Sequence, residues 1–166
     1  MPRPQSIVIN TSPLLALIAA WGNLTRLSSL YAEVLVSYEV TQEILEGGVT
    51  NFGITEFQAA DGLTKLDQPL TIAPFLRNSL DLGEASVIQL ALDRSISTVC
   101  IDEAVGRRVA RLNGLTVTGS VGILLKANQQ NPVLSVKAAI TNMLNRNIRL
   151  SQYVIDFALK QSGESM

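Results

Sequence analysis

The feature that most constrains this chain is the rhythm of its apolar segments. Ile7–Ile9, Val34–Val36 and Thr98–Ile101 are short runs rich in β-branched residues, and helix-forming stretches separate them. A strand with one wet face alternates polar and apolar positions. A run that stays apolar from one residue to the next must be covered on both faces. Strands joined by helices pair in parallel, because a parallel connection needs a crossover. The expectation is an α/β domain built on a parallel sheet with helices on both sides.

Caps and breakers divide the rest. Ser12-Pro13 reads as a helix start, with Ser12 as N-cap and Pro13 at the first helical position. The helix Leu14–Ala20 is apolar on nearly all sides, and Leu24–Tyr31 forms a second helix after Gly22-Asn23. Ser37 caps a helix from Tyr38 to about Leu45, which Gly47-Gly48 ends. Between residues 49 and 77 a short helix over Thr55–Asp61 and strands over Leu63–Leu66 and Leu70–Ala73 are predicted, limited by Pro69 and Pro74. Asp81 caps a helix from Leu82 to about Asp93, and Glu103–Leu112 is helical up to Asn113-Gly114. Thr116–Thr118 reads as a strand, and helices follow over Gly119–Ala127, Val133–Leu144 and Ser151–Gln161. No repeat, low-complexity tract or linker interrupts the series, so residues 1–166 read as one domain.

Composition removes several function classes. There is no histidine, which excludes His-based acid–base chemistry, Ser-His triads and His zinc sites. The single cysteine, Cys100, excludes an intrachain disulfide and a Cys-cluster metal site. Lying in the run Thr98–Ile101, it reads as a buried structural thiol, and a reduced, cytoplasmic setting is expected. A formal net charge of −1 projects no global positive field, so a nucleic acid would have to meet a local basic patch. The apolar run Pro13–Trp21 falls far short of the ~20 residues of a membrane span. Met1–Ser6 does not look like a targeting segment, and no membrane association is expected.

Active sites of open parallel sheets form at the carboxyl ends of the strands. Asn10 follows the first strand and Asp102 follows the strand at Thr98, which puts both on that edge. Glu43, on the helix after the second strand, and Glu84, at the start of the Leu82 helix, add two carboxylates. Converging carboxylates bind hard divalent cations, and metals held this way activate water against a phosphodiester. Each position also has a plain structural role as an alternative. Asp102 makes a good N-cap, Glu84 completes a capping box with Asp81, Glu43 suits a solvated helix face, and Asn10 can tie down a turn. Thr11 and Ser12 offer hydroxyls beside Asn10, and Glu103 is a spare carboxylate beside Asp102, with a helix first turn as its other role. Arg107, Arg108 and Arg111 form the densest positive cluster; they suit phosphate contacts or an ordinary solvated helix.

Taken together these segments resemble PIN-domain proteins. Ile7-Val8-Ile9-Asn10-Thr11-Ser12-Pro13-Leu14 resembles the first strand and turn of that family, where the fourth residue is usually Asp. Leu82-Gly83-Glu84-Ala85 through Ala91 resembles the third acidic motif, and Val99-Cys100-Ile101-Asp102-Glu103 through Ala110 the fourth. The similarity extends over about residues 6–161. It implies a three-layer α/β/α sandwich around a parallel sheet, an acidic quartet at Asn10, Glu43, Glu84 and Asp102, and Mg²⁺ or Mn²⁺ as cofactor. It further implies RNA as substrate. Many relatives are toxin subunits, often dimers, inhibited by a small antitoxin protein, so a homodimer and such a partner are expected. Asn10 departs from the pattern: an amide oxygen still ligates a hard cation but brings no negative charge.

The expected function is therefore a divalent-metal-dependent ribonuclease of PIN type, with an altered first acidic position. The alternative is a catalytically silent module that binds nucleic acid or protein through the same pocket. A phosphate-handling enzyme of Rossmann-like shape is a third reading, although no phosphohydrolase nucleophile motif is present.

Overall fold

Ile7, Val8 and Ile9 point alternately to opposite faces of the sheet, and none of the three exposes any surface. Both faces at the centre are therefore covered, as the unbroken apolar run requires. Full burial of each such side chain contributes about 1.5–3 kcal/mol. These residues belong to β1 (Ser6–Ile9) in a computed structural model that describes residues 5–48 and 50–165. The N-terminal residues 1–4, where no targeting segment was expected, lie outside the described residues.

Four further strands complete one sheet: β2 (Glu33–Val36), β3 (Leu63–Lys65), β4 (Thr98–Cys100) and β5 (Thr116–Thr118). The order is β3-β2-β1-β4-β5 and every pairing is parallel. In register, Ile7 pairs with Val34 on one side and with Thr98 on the other. The chain thus builds outward from β1 in one direction, then returns and builds in the other. The switch point lies between β1 and β4, and a crevice opens there at the carboxyl ends of the strands.

The helices are α1 (Thr11–Trp21), α2 (Leu27–Leu30), α3 (Tyr38–Glu46), α4 (Ile54–Gln58), α5 (Pro74–Ser79), α6 (Leu82–Asp93), α7 (Ala104–Leu112), α8 (Ser120–Gln130), α9 (Val136–Asn145) and α10 (Gln152–Ser162). Helix α6 packs on β1 and β4, with α3, α5 and α7 against it; α1 packs chiefly on α9, and α8, α9 and α10 pack together. The sheet and its two helical layers form the three-layer sandwich expected. No helix among the described residues is long and apolar enough to cross a membrane.

The predicted caps hold at Ser37, whose side chain accepts from Val40 N–H, at Asp81, which accepts from Glu84 N–H, and at Gly47, in the left-handed conformation. Four local readings differ. Helix α1 begins at Thr11, so Asn10 occupies the N-cap position and Pro13 sits third, still within the turn that lacks internal donors. The second predicted helix shrinks to Leu27–Leu30. The stretch Leu70–Ala73 is not a strand: Leu70 N–H donates to Glu39 Oε2 and Ala73 N–H to Gln89 Oε1, so side chains replace a ladder. Pro74 then opens α5, a helix the pattern did not suggest.

Candidate active site

Asn10 N–H donates to Cys100 O at 3.0 Å, which ties the carboxyl ends of β1 and β4 together at the switch point. The Asn10 side chain is buried, and its Oδ1 has no hydrogen-bond partner. A buried acceptor without a donor is costly, so this oxygen is open to a donor or a cation. Thr11 Oγ donates to Glu43 Oε2 at 2.8 Å, which draws the α3 carboxylate to the end of β1. The backbone of α6 then arrives at Gly83. A Cβ there would lie 2.6 Å from Glu43 Oε2 and in ordinary contact, 3.5 Å, with Asn10 Oδ1, so both oxygens border the space that the glycine leaves open.

Glu84 is buried beside this corner. Burial, then the charge of Asp81, a hydrogen bond with the Asp81 side chain, and the charges of Glu103 and Glu43 push its carboxyl up to about 7. The Glu103 carboxyl is held below its ordinary value, first by Gly106 N–H and then by Val105 N–H, with a hydrogen bond to Glu84 assisting. Glu103 therefore caps α7, and the capping role that Asp102 could have taken belongs to its neighbour. Asp102 instead reaches across to α8, where its Oδ1 accepts from Ser120 N–H at 2.7 Å. Arg107 lines the same cavity and donates to Ile101 O at 2.8 Å.

Two more glycines make room in the same manner as Gly83. A Cβ at Gly106 would stand 3.1 Å from Glu84 Oε2, and one at Gly119 would stand 2.6 Å from Asp102 Oδ1. Each of the three acids thus packs against a backbone stripped of its side chain. The sequence reading missed these glycines, and it missed Asp81 as a charge that raises the Glu84 carboxyl. The capping pattern D-x-x-E placed Asp81 and Glu84 together, and Asp81 Oδ1 does accept from Glu84 N–H, but it did not show that Glu84 would be buried among other acids.

The structure brings Asn10, Thr11, Glu43 and Glu84 to one corner, with Asp81 and Glu103 at its rim. Asp102 and Arg107 line an adjoining cavity of about 520 Å³, together with Ser120 and Arg149. Ser12 is exposed, as are Arg108 and Arg111 on α7. A second cavity of about 440 Å³ on the other side is lined by Thr11, Glu43, Phe52 and Arg146.

A family model described as a PIN domain matches residues 6–164. The chain belongs to the PIN-domain family. No curated protein matches it. PIN domains are nucleases as a family and in general use divalent metals, which makes a nucleic acid the expected class of partner. The corner of this PIN domain suits such a cation in donor chemistry, since every donor is a hard oxygen and one, Asn10 Oδ1, is buried and unsatisfied. The carboxylates, as they stand, are spread. Among the described residues no three acidic or cysteine side chains converge as a metal-holding group. The pair Glu43 and Glu84, with the Asn10 amide, is what the corner itself offers.

Proposed function

We propose that this PIN domain is a divalent-metal-dependent endoribonuclease whose site is the corner at the ends of β1 and β4. The observation that carries the reading is the buried, unpartnered Asn10 Oδ1 bordering the same space over Gly83 as Glu43 Oε2, beside a Glu84 carboxyl raised by burial and by the acids around it. Asn10, Glu43 and Glu84 hold Mg²⁺ or Mn²⁺, with Asp102 completing the set from the adjoining cavity. When bound, the cation supplies Lewis acidity toward a phosphodiester and its attacking water. The chain does the rest. Thr11 fixes the Glu43 carboxylate. Glu84 keeps or yields a proton near neutrality. Arg107, anchored on Ile101 O, holds a phosphate beside Asp102, and Arg108 and Arg111 add positive field from α7. Ser12 and Glu103 support the turn and the α7 cap.

The biological role consistent with this site is that of a toxin nuclease restrained by a small antitoxin. A homodimer through α10 is supported by Tyr153, an aromatic side chain 80% exposed. Helix α1, although apolar on nearly all sides, offers no such surface, because the core consumes most of it.

The test is cleavage of RNA with Mg²⁺ or Mn²⁺ by the wild type and by Asp102→Ala. Metal-dependent cleavage that vanishes in the variant supports the reading. A second reading, a silent binding module, is favoured by the amide at position 10 and by the spread carboxylates. RNA binding without cleavage, together with cleavage gained in Asn10→Asp, would select it.

A further inference from the structure

We propose that Arg146 and Arg149, from the short connection between α9 and α10, clamp a single RNA strand on either side of the acidic corner. The inference rests on the ribonuclease-type reading only in taking RNA as the ligand. It arises from a different part of the chain. Helix α9 ends in a tight closure: Asn147 adopts a left-handed φ of 63°, its N–H donates to Leu144 O, and Ile148 N–H donates to Met143 O. This is a Schellman-type stop, and it fixes the directions in which the next residues leave. Ile148 is half-buried and lines both cavities that flank the corner. Arg146 lines the cavity of Thr11 and Glu43, while Arg149 lines that of Asp102 and Arg107. One rigid turn thus delivers a positive charge to each side of the acids.

The charge pattern argues for a phosphate backbone. Glu43, Glu84, Asp81, Glu103 and Asp102 would repel a polyanion from the corner, so a strand reaches it only if cations hold it on both flanks. Arg107 is the only α7 arginine lining either cavity, and its guanidinium is partly engaged by Ile101 O. Arg146 lies over the Phe52 ring, 4.5 Å from its centroid, which pre-positions its guanidinium. Both cavities are of ligand size, and their walls include Phe52 on one side and Phe157 on the other. Such walls suit unstacked bases, which a duplex keeps inside its stack.

The experiment is fluorescence polarisation of a labelled oligouridylate with the full chain in EDTA, titrated with KCl. A single-strand phosphate contact contributes about −0.7 to the slope of log K against log salt. Arg146→Ala and Arg149→Ala are each expected to reduce the slope by about that amount and to weaken binding roughly 5- to 10-fold. Arg146→Lys and Arg149→Lys should keep most of the slope, and Arg77→Ala, on α5 and lining neither cavity, should leave it unchanged. Unchanged slopes in both alanine variants, or no RNA binding by the wild type at low salt, would overturn the clamp. Metal-free binding with these slopes but no cleavage in Mg²⁺ or Mn²⁺ would support the clamp while removing the ribonuclease reading. Cleavage by the wild type with slopes unchanged in the variants would remove the clamp alone.

Discussion

Replacing Glu84 with glutamine isolates the electrostatic cost of the acidic corner. The Glu84 carboxyl is raised from an ordinary 4.5 to about 7, by burial first and then by Asp81, Glu103 and Glu43. Below about 4.5 the carboxyl is protonated in both folded and unfolded chains. Between the two values the folded chain holds a proton that the unfolded chain has lost, so stability falls as pH rises, and the loss is complete above about 7. Taken whole, the shift would be worth about 3 kcal/mol. Asp81, Glu103 and Glu43 are exposed to solvent, and screening reduces this to about 1–1.5 kcal/mol. Glutamine has the same shape and does not titrate. Without metal, the wild type and Glu84→Gln should be similar at about pH 4, and the variant should gain about 1–1.5 kcal/mol relative to the wild type by about pH 8, seen as roughly 2–5 °C in Tm. Urea and thermal unfolding in EDTA at four pH values measure this. A difference that stays flat across pH, or one in which the wild type gains on alkalinisation, would refute the reasoning.

Other expectations follow from the same geometry. Asn10→Asp puts a buried charge where Oδ1 has no partner, and should cost about 1–3 kcal/mol in EDTA, with Mg²⁺ or Mn²⁺ restoring much of the Tm. Gly83→Ala would thrust a Cβ to 2.6 Å from Glu43 Oε2, so metal affinity by calorimetry should fall several-fold while the far-ultraviolet circular dichroism is unchanged. Asp102→Ala removes the acceptor of Ser120 N–H and should cost about 1 kcal/mol in urea unfolding, in addition to any loss of cleavage. Cys100 is fully buried, and burial together with the Asp102 charge pushes its thiol well above its ordinary range. It should resist a thiol reagent until the chain unfolds.

The sheet was legible because its inner strands lack alternation, and the helices were legible where a cap and a breaker bracket them, as at Ser37 and Gly47. The error at Leu70–Ala73 has a physical cause: an extended apolar segment reads as a strand, and nothing local shows that Glu39 and Gln89 will satisfy its amides. The acidic positions could be gathered on one sheet edge from topology. Their individual attachments could not, since Asp102 and Glu103 are adjacent and equally able to cap, and the choice depends on where α8 begins. Nothing local singles out Arg149, because it reaches the site only through the turn that ends α9, a tertiary fact.

The position of β1 has a consequence for synthesis. Its neighbour β2 follows soon after it, but the partner on its other side, beginning at Thr98 opposite Ile7, leaves the ribosome much later. At translation speeds of about 5–20 residues per second the gap lasts on the order of several seconds. During that time Ile7-Val8-Ile9 presents an unpaired apolar edge of the kind that recruits chaperones or other nascent chains. The same delay acts as a safeguard under the proposed activity. Because the corner needs the ends of both β1 and β4, a growing chain cannot cut its own message until the ribosome has passed Asp102.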